Sequence, residues 1–412
     1  MAQAAIMGFG TVGSGVFAVL RENAAFIEKQ LEMPITVKRV LDMRSFPGSD
    51  VAPYLTHDAD DIINDSEIDI VVEAMGGLNP AFEYTMRALR AGKHVVTSNK
   101  ELVSVRGAEL MAAAEENHAR YMFEASVGGG IPVIRPLKHM LLTERVSRVA
   151  GVLNGTTNYI LSQMREHGAG FDETLREAQG RGFAERDPSA DIDGFDACRK
   201  LAILLSACVG RQVNFSKIPT EGISKVTKDD FAFAAAAGDT IKLIARGDIS
   251  ADGIEAIVAP MILPGESPLG VVGGVYNAVS LTFSAIDNIL LSGRGAGKYP
   301  TAGAIVSDMA EALRIAEAPP MWSEDEAVLL PAGEAVNAWM ARLSYADEYA
   351  AKASAQDIFL TGDLIWLDAG IPGQAAFFTP PLKEREFAGK IRELGQTPGV
   401  AVENALRLYA DR

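Results

Sequence analysis

The sequence predicts an α/β protein in three parts: a doubly wound, mostly parallel sheet, then an α+β region, then a small α/β module. Over residues 1–130, short apolar segments alternate with amphipathic ones, which is typical of a parallel sheet flanked by helices. A glycine-rich loop follows the first apolar segment. Longer strand-like runs come next, and residues 315–331, rich in Ala, Pro and Glu, mark a further boundary.

The first strand, Ala4 to Met7, leads directly into a glycine-rich loop. The loop consists of Gly8, Phe9, Gly10, Thr11, Val12 and Gly13. A helix to about Glu28 and a second strand, Ile35 to Asp42, come next, and the strand ends in an acidic residue. This order of elements is the dinucleotide-binding unit of Rossmann-type folds. Its glycines let the backbone approach a pyrophosphate at the start of the helix.

Three more strands with intervening helices follow in the same half of the chain. They are Asp69–Ala74, His94–Thr97 and Tyr121–Ala125. Ligands of such sheets bind at the carboxyl ends of the strands, where Gly76, Thr97, Asn99 and Lys100 fall. Lys100 is either a solvated residue at a helix start or the partner of a nearby anion. The anion explains it better, because a lysine is unfavourable at the positive end of a helix dipole.

The run Ser126 to Pro132 contains three consecutive glycines after the fifth strand. Such a run permits turns in which carbonyl groups converge on a hard cation. It also suits a hinge between domains, and the residues alone favour the hinge.

The second region predicts an α+β domain, and the tail a small α/β module. The strands of the second region are Arg145–Leu153, Glu255–Leu263, Val275–Phe283 and Ile289–Ser292, and those of the tail are Trp339–Ser344, Leu364–Asp368 and Gln374–Thr379. A helix at about Lys383 to Leu394 follows the tail strands. A second glycine loop, residues 293–302, opens a helix. It either closes over the nucleotide or serves as a linker.

The stretch Arg181 to Gly210 combines an acidic loop with an amphipathic helix. The loop carries Glu185 and Asp191, and the helix carries Asp196 and Lys200. The last two are four positions apart and therefore share one helix face. A lysine held beside a carboxylate is suited to acid/base chemistry. The same spacing is equally compatible with a surface ion pair.

Composition excludes several partners and locations. The chain has 412 residues and a formal net charge of -16, which disfavours nucleic acid and anionic membrane. No signal peptide or membrane-spanning helix is expected. Cys198 and Cys208, the two cysteines, fall on the same helix about 15 Å apart, too far for a disulfide. We therefore expect a reduced, cytoplasmic protein. The five histidines show no zinc-binding spacing.

From about Ala4 to Arg314 the chain resembles the homoserine dehydrogenase family. The motifs that carry the resemblance are GFGTVGSGV, VVEAMGG, TSNKELV, EASVGGGIP, GVLNGTTNYIL, GFAERDPSADIDGFDACRKLAIL and GRGAGKYPTAGAIVSD. The resemblance implies NAD(P)-dependent interconversion of L-homoserine and L-aspartate 4-semialdehyde. That reaction belongs to the biosynthesis of threonine, methionine and isoleucine.

The resemblance also assigns roles to individual residues. It places the cofactor on the loop from Gly8 to Gly13, with Thr97, Ser98, Lys100 and Gly297 beside it, and Gly76 joins these cofactor residues from its position at a strand end. It places a monovalent cation, typically sodium, on backbone carbonyls of Glu124, Val127, Gly129 and Ile131. Glu185, Asp191 and Lys100 would bind the substrate, with Lys200 as the catalytic lysine and Asp196 supporting it. A homodimer or higher homo-oligomer is implied.

The expected domains are a dinucleotide-binding domain (1–130, completed by about 295–315), a substrate-binding and dimerisation domain (131–294) and a C-terminal module (320–412). The module resembles the amino-acid-binding ACT module. It is read as a degenerate form, because it lacks the usual Pro-Gly turn between residues 341 and 355. Cofactor choice stays open. Leu41 stands where the family often carries an arginine before the aspartate, so the retained Asp42, which suits the ribose hydroxyl of NAD, leans toward NAD, while Arg44 keeps NADP possible.

Two other functions are compatible with the fold. One is a nicotinamide-dependent dehydrogenase of another amino-acid-like substrate. The other is a non-catalytic nucleotide-binding regulator, which predicts a broken acid/base set. The sequence retains Glu185, Asp196, Lys100 and Lys200, which favours an enzyme.

Overall fold

The structure is a computed structural model that describes residues 1–314, 319–361 and 364–409. Some predicted features lie partly outside the described residues. These are positions 315–318 of the boundary segment and positions 362–363 and 410–412 of the C-terminal module.

The described residues form fourteen α-helices. They are α1 (Thr11–Glu22), α2 (Ala24–Leu31), α3 (Asp60–Ile63), α4 (Ala81–Arg90), α5 (Lys100–Glu116), α6 (Ile134–Met140), α7 (Gly155–His167), α8 (Phe171–Gly180), α9 (Ser189–Ile192), α10 (Phe195–Val209), α11 (Lys228–Ala236), α12 (Lys298–Arg314), α13 (Glu348–Phe359) and α14 (Glu384–Leu394). None of the described helices is both long enough and apolar enough to cross a membrane.

The strands of the described residues form two large sheets and two small ones. They are β1 (Ala2–Met7), β2 (Ile35–Leu41), β3 (Leu55–Thr56), β4 (Ile70–Glu73), β5 (His94–Thr97), β6 (Tyr121–Met122), β7 (Val146–Val152), β8 (Arg211–Gln212), β9 (Asp239–Ile249), β10 (Ile254–Pro264), β11 (Tyr276–Phe283), β12 (Asn288–Arg294), β13 (Ser323–Glu326), β14 (Val336–Asn337), β15 (Trp339–Tyr345), β16 (Trp366–Leu367), β17 (Gln374–Phe378), β18 (Leu382–Lys383) and β19 (Val400–Leu408).

The chain forms two compact units, each built from three segments. Unit 1 comprises Met1–Val146, Arg199–Phe215 and Leu281–Ala327, and unit 2 comprises Ser147–Cys198, Ser216–Ser280 and Val328–Arg412.

The sheet of unit 1 has the strand order β3-β2-β1-β4-β5-β6, and every neighbouring pair is parallel. From β1 the chain adds β2 and β3 on one side of the sheet and then adds β4, β5 and β6 on the other side. The direction in which strands are added therefore reverses between β1 and β4. Ile6, Val72 and Val96 on the central strands are fully buried in the core with Ile305 and Met309 of α12. The predicted doubly wound parallel sheet is confirmed, and its ligand edge lies at the carboxyl ends of β1 and β4.

Three details of unit 1 differ from the prediction. The helix expected to run to about Glu28 ends at Glu22, and a separate helix follows over Ala24–Leu31. The sheet has six strands instead of five, because β3 is only two residues long and shows no periodicity of its own. The strand expected over Tyr121 to Ala125 ends at Met122, and Glu124–Ser126 form a 3₁₀ turn. The Ser126 hydroxyl donates a hydrogen bond to the Phe123 carbonyl at 2.6 Å, which stabilises the turn.

The second large sheet has nine strands in the order β12-β11-β7-β9-β10-β19-β15-β17-β16. Its longest pair joins β9 and β10 antiparallel over their full length. The sequence does not predict β9, because Lys242 and Arg246 interrupt its apolar pattern. Both are nevertheless buried, and the Lys242 ammonium donates to Asn158 Oδ1 at 3.0 Å and to the Val272 carbonyl at 2.6 Å.

The last part of unit 2 is a small α/β module that continues this sheet. Its elements follow the order β15, α13, β16, β17, α14 and β19, and its strands lie in the order β19-β15-β17-β16. All three neighbouring pairs are antiparallel, so this is a split βαβ arrangement. Strand β19 also pairs parallel to β10, with Met261 opposite Arg407. The module therefore shares its sheet with the rest of unit 2.

Candidate active site

The glycine loop of unit 1 joins β1 to α1 in a turn that only glycine permits at two positions. Gly8 has φ +96°, and a Cβ at Gly13 would lie 1.9 Å from the Gly8 carbonyl oxygen. Helix α1 begins at Thr11, and no side chain caps its first turn. The N–H groups at this helix start can therefore receive the phosphates of a dinucleotide.

A further glycine, absent from the predicted site, sets the position of α1 against α12. A Cβ at Gly15 would lie 2.8 Å from the Lys298 carbonyl oxygen and 3.1 Å from the Ala302 Cβ. Helix α12 begins after the second glycine loop, and the Thr301 N–H donates to the Gly297 carbonyl at 3.1 Å. Both helix starts thus belong to the same closely packed pair. The short spacing of Gly13 and Gly15 is the one sequence signal for it.

Asp42 and Arg44 form a compact ion pair at the end of β2. The Asp42 carboxylate accepts from the Phe9 N–H at 2.8 Å and from Arg44 Nε and Nη2 at 2.9 Å each. The guanidinium beside it holds the pKa of the Asp42 carboxyl well below its usual range. The same guanidinium donates to the Phe9 carbonyl at 3.2 Å. The pair therefore joins the glycine loop to β2, with Arg44 on the exposed side.

A buried carboxylate at the end of β4, Glu73, organises the adjacent loops of unit 1. It accepts from the Thr97 hydroxyl at 2.6 Å and from the Met75 and Gly76 N–H groups at 2.8 and 3.3 Å. Burial raises the pKa of the Glu73 carboxyl. Glu73 is not among the predicted site residues, since an acidic residue inside an apolar run gives no sign of its partners.

Asn99 connects the ends of β4 and β5. Its Nδ2 donates to the Gly77 carbonyl at 2.7 Å, and its Oδ1 caps α5 by accepting from the Leu102 N–H at 3.1 Å. Because α5 begins at Lys100, this cap fixes the backbone that carries Ser98 and Lys100. The predicted site residues Gly76, Thr97, Ser98 and Lys100 are therefore held by one network in unit 1.

Lys200 also belongs to unit 1. Its side chain is buried, with 7% of the residue exposed. The neighbouring Arg199 forms an ion pair with Glu101 at 3.7 Å. Helices α5 and α10 are therefore in contact at Glu101 and Arg199, the sequence neighbours of the two predicted lysines, Lys100 and Lys200.

The triple-glycine run packs directly on the second glycine loop of unit 1. A Cβ at Gly129, which has φ +58°, would lie 2.3 Å from the Gly295 carbonyl oxygen. A Cβ at Gly130 would lie 2.7 Å from the Pro300 Cβ, and the Gly130 N–H donates to the Arg294 carbonyl at 3.3 Å. Within unit 1, the loop assigned to the cation and the loop assigned to the cofactor are thus in van der Waals contact.

Glu124 uses its side chain to stabilise this region. The carboxylate accepts from the N–H groups of Val133, Ile134 and Arg135, and the Glu124 N–H donates to Asp308 Oδ2 at 2.9 Å. Burial raises the pKa of the Asp308 carboxyl to about 7. In the described residues no group of three or more His, Cys, Asp or Glu side chains could hold a metal ion.

In unit 2, Asn154 brings two predicted acidic residues together. Its Nδ2 donates to Asp191 Oδ1 at 2.6 Å and to Asp196 Oδ2 at 2.8 Å. Its Oδ1 caps α7 by accepting from the Thr157 N–H at 2.9 Å. Asn154 is not among the predicted site residues, although an Asn at the start of a helix is a capping signal. Residues 185–196, named the acidic loop below, are anchored at this side chain.

Glu185 is not part of the Asn154 cluster. It is exposed, and its backbone carbonyl accepts from Gln179 Nε2 at 3.1 Å. Its carboxylate makes no hydrogen bond or ion pair with the described residues of the chain. Unit 2 therefore supplies two acidic groups in a fixed arrangement and a third with an open carboxylate.

The parallel sheet, its switch point and its glycine loop define unit 1 as a dinucleotide-binding domain. The family model described as "Homoserine dehydrogenase, NAD binding domain" matches residues 8–124, and that described as "Homoserine dehydrogenase" matches residues 132–310. The homoserine dehydrogenase of Bacillus subtilis is 39% identical over 312 residues, which cover 75% of this chain and 72% of that protein. The chain belongs to the homoserine dehydrogenase family.

Solved structures agree with this assignment. The homoserine dehydrogenase of Thiobacillus denitrificans has a TM-score of 0.89 and 35% sequence identity, over 99% of this chain and 98% of that one. A hyperthermophilic archaeal homoserine dehydrogenase in complex with NADPH has a TM-score of 0.64 and 27% identity, over 76% of this chain and 97% of that one.

The predicted family and activity are thereby confirmed. The chain is an NAD(P)-dependent oxidoreductase that interconverts L-homoserine and L-aspartate 4-semialdehyde, on the route to threonine, methionine and isoleucine. It acts on the CH–OH group of homoserine, its substrate.

Proposed function

We propose that Lys200 is the acid/base residue of the homoserine dehydrogenase reaction and that Asp196 is its catalytic partner. One observation supports this choice over a surface ion pair. Asp196 and Lys200 lie four residues apart on α10, and only 2% and 7% of these residues are exposed. An ion pair kept only for solubility would leave both groups in water, whereas burial of a charge is costly and needs a compensating role.

The proposed roles follow from the residue types. When bound, the nicotinamide dinucleotide accepts or supplies the hydride. Lys200 takes the hydroxyl proton of homoserine during oxidation and returns it in the reverse direction. As an ammonium, Lys200 also stabilises the negative charge that develops on the substrate oxygen. Asp196 holds Lys200 or the substrate in place.

Three further residues are proposed to bind the substrate. The open carboxylate of Glu185 accepts the α-ammonium group of homoserine. Asp191, held by Asn154, supports the same polar end, and Lys100 at the start of α5 binds its carboxylate. Each assignment rests on the charge of the side chain and on the family resemblance.

The glycine loop is proposed to bind the pyrophosphate, with Gly76, Thr97, Ser98, Lys100 and Gly297 beside the rest of the cofactor. Both NAD and NADP remain candidates. Asp42 favours the ribose hydroxyl of NAD. The exposed guanidinium of Arg44 would receive the additional phosphate of NADP, and the NADPH bound to the archaeal relative supports that alternative. The ratio of kcat/KM values for the two cofactors decides between them.

A sodium ion is proposed on the backbone carbonyls of Glu124, Val127, Gly129 and Ile131. The tight turn supports this, because the Ile131 carbonyl oxygen lies 2.6 Å from where a Gly128 Cβ would be. The cation would stabilise the contact between this turn and the second glycine loop.

The wider organisation is also a proposal. Residues 1–130 with 295–315 form the cofactor domain, which the packing of Gly15 on α12 supports. Residues 131–294 bind substrate and form a homodimer or higher homo-oligomer, as the resemblance implies. Residues 320–412 form an ACT-like module, which their split βαβ topology supports. The placement of both cysteines on α10 supports a reducing, cytoplasmic location.

Substitution of Lys200 tests the central assignment. We expect Lys200→Ala to lose turnover with homoserine while the affinity for the cofactor stays nearly intact, because the glycine loop is unchanged. Turnover is followed by nicotinamide absorbance, and cofactor affinity by fluorescence titration. Lys225→Ala is the matched control, since Lys225 is an exposed lysine outside the proposed site. If the kcat of Lys200→Ala stays within about tenfold of the parent value, a loss of at most about 1.4 kcal/mol of transition-state stabilisation, the acid/base role of Lys200 is contradicted.

A further inference from the structure

A short segment of unit 2, residues 219–223, lies between the acidic loop and the C-terminal strand β19. It is named the support segment here. The Val258 N–H donates to the Pro219 carbonyl at 2.9 Å, and the Glu221 N–H donates to the Val258 carbonyl at 2.7 Å. These two bonds attach the segment to β10, and its remaining contacts reach in two directions.

Toward the acidic loop, the support segment makes backbone contacts that leave no space for a methyl group. A Cβ at Gly222 would lie 2.4 Å from the Ile192 carbonyl oxygen and 2.7 Å from the Asp193 Cα. The Ile223 N–H donates to that same Ile192 carbonyl at 2.9 Å. Ile192 directly follows Asp191. The backbone position of this proposed substrate residue therefore depends on where Gly222 lies.

Toward the C-terminus, the support segment is bound by one buried arginine of β19. Arg407 donates from Nη1 and Nη2 to the two carboxylate oxygens of Glu221 at 2.9 and 2.7 Å. It also donates from Nε and Nη2 to Glu384 of α14 at 2.6 and 2.9 Å. Its guanidinium carbon lies 4.3 Å from the centre of the Trp339 ring. Two bidentate ion pairs and a ring face thus fix Arg407 in one orientation.

A second buried arginine joins the C-terminal module to another part of unit 2, helix α11, without touching the acidic loop. Arg342 of β15 donates from Nε to Asp230 of α11 at 2.8 Å, and its side chain is 5% exposed. Arg342 and Arg407 are therefore comparable in burial and charge. They differ in what they hold: α11 in one case, the support segment in the other.

We propose that the support segment is a positioning element of the substrate site, through which β19 sets the backbone of the acidic loop. The arrangement gives the C-terminal module a direct effect on substrate affinity: Arg407 fixes Glu221, Gly222 supports Ile192, and Ile192 places Asp191. These support residues act on the substrate site through the backbone of the acidic loop. The inference rests on the proposed role of Asp191 in binding homoserine.

The test uses the full-length protein and measures KM for homoserine, KM for the cofactor and melting temperature. Gly222→Ala displaces Ile192, and Glu221→Gln removes the charge that Arg407 holds. We expect each to raise KM for homoserine by about tenfold, the effect of a small misplacement of binding groups, with KM for the cofactor unchanged. Glu221 is half exposed, so Glu221→Gln keeps the fold even if Gly222→Ala does not.

Arg342→Lys is the matched control. It weakens a buried ion pair of the same module, so the melting temperature falls while KM for homoserine stays at the parent value. The inference is overturned if Gly222→Ala and Glu221→Gln leave KM for homoserine unchanged, or if Arg342→Lys raises it equally. Asp191→Asn separates the two proposals. If Asp191→Asn raises KM and the support variants do not, the inference fails and the substrate assignment stands.

Discussion

The glycine loop of unit 1 and the acidic loop of unit 2 are held in place by different kinds of contact. The turn of the glycine loop comes from residues close in sequence, with Gly13 against Gly8, and Asp42 and Arg44 at the end of β2 then bind Phe9. The acidic loop depends on side chains far along the chain. Asn154 precedes Asp191 by 37 residues, and Arg407 follows Glu221 by 186. A local motif can therefore encode the cofactor loop, whereas the substrate loop requires the tertiary fold.

The largest effect is expected from Gly13→Ala, which disrupts the local contact that shapes the glycine loop. Its Cβ would lie 1.9 Å from the Gly8 carbonyl oxygen, so the loop must move away from β1. We expect KM for the cofactor to rise by about a hundredfold and the free energy of unfolding to fall by about 1–3 kcal/mol. Kinetics with varied cofactor and a urea titration measure the two effects.

Substitutions at two other glycines distinguish the effect of steric strain from the effect of a lost cofactor contact. A Cβ at Gly303 in α12 has nothing within 4 Å, so Gly303→Ala should leave kinetics unchanged and stabilise the helix slightly. Gly10 also has nothing within 4 Å but lies at the start of α1. Gly10→Ala should weaken cofactor binding without loss of stability. A destabilised Gly10→Ala would show that the loop is under more internal constraint than its packing indicates.

An intermediate effect is expected from Asn154→Ala, which removes the long-range contact that holds the acidic loop. The change removes the hydrogen-bond donor shared by Asp191 and Asp196, so we expect KM for homoserine to rise by about tenfold. The loss of the α7 cap should cost about 1 kcal/mol of stability. Asp347→Ala removes the cap of α13 at a similar cost. A comparable rise of KM in Asp347→Ala would assign the effect to lost stability instead of the site.

A smaller effect is expected from Arg44→Ala at the exposed end of β2. Without the guanidinium, the Asp42 carboxylate repels the additional phosphate of NADP. The ratio of kcat/KM for NADP to that for NAD should fall by about two- to fivefold, the range of an exposed ion pair. Arg87→Ala removes a partly exposed arginine of α4 that pairs with Asp60 and should leave the ratio unchanged. An unchanged ratio in Arg44→Ala would exclude Arg44 from cofactor choice.

The same division explains what the sequence could predict. The parallel sheet and the loop from Gly8 to Gly13 depend on apolar runs and glycines that are close in sequence, and these were predictable. Glu73 was not predictable, because its contribution to the site is to accept hydrogen bonds from the Thr97 hydroxyl and from N–H groups of the turn after β4. Those partners are visible only in the structure. Asn154 carries a capping signal, but its two carboxylate partners become visible only in the fold.

Buried charges account for other omissions. Strand β9 was hidden by Lys242 and Arg246, whose buried side chains donate hydrogen bonds to Asn158 and Asn337, far away in sequence. The support segment had no signal at all, since Gly222 looks like any loop glycine until Ile192 lies against it. Residues whose role depends on a partner more than a few positions away thus require the structure.

The most direct test of this division measures both KM values for Gly10→Ala and Asn154→Ala in a single absorbance assay. The two-loop account predicts a crossed result. Gly10→Ala raises KM for the cofactor and leaves KM for homoserine unchanged, and Asn154→Ala does the reverse. If both variants raise the two KM values alike, the cofactor and substrate loops do not act separately, and the account is contradicted.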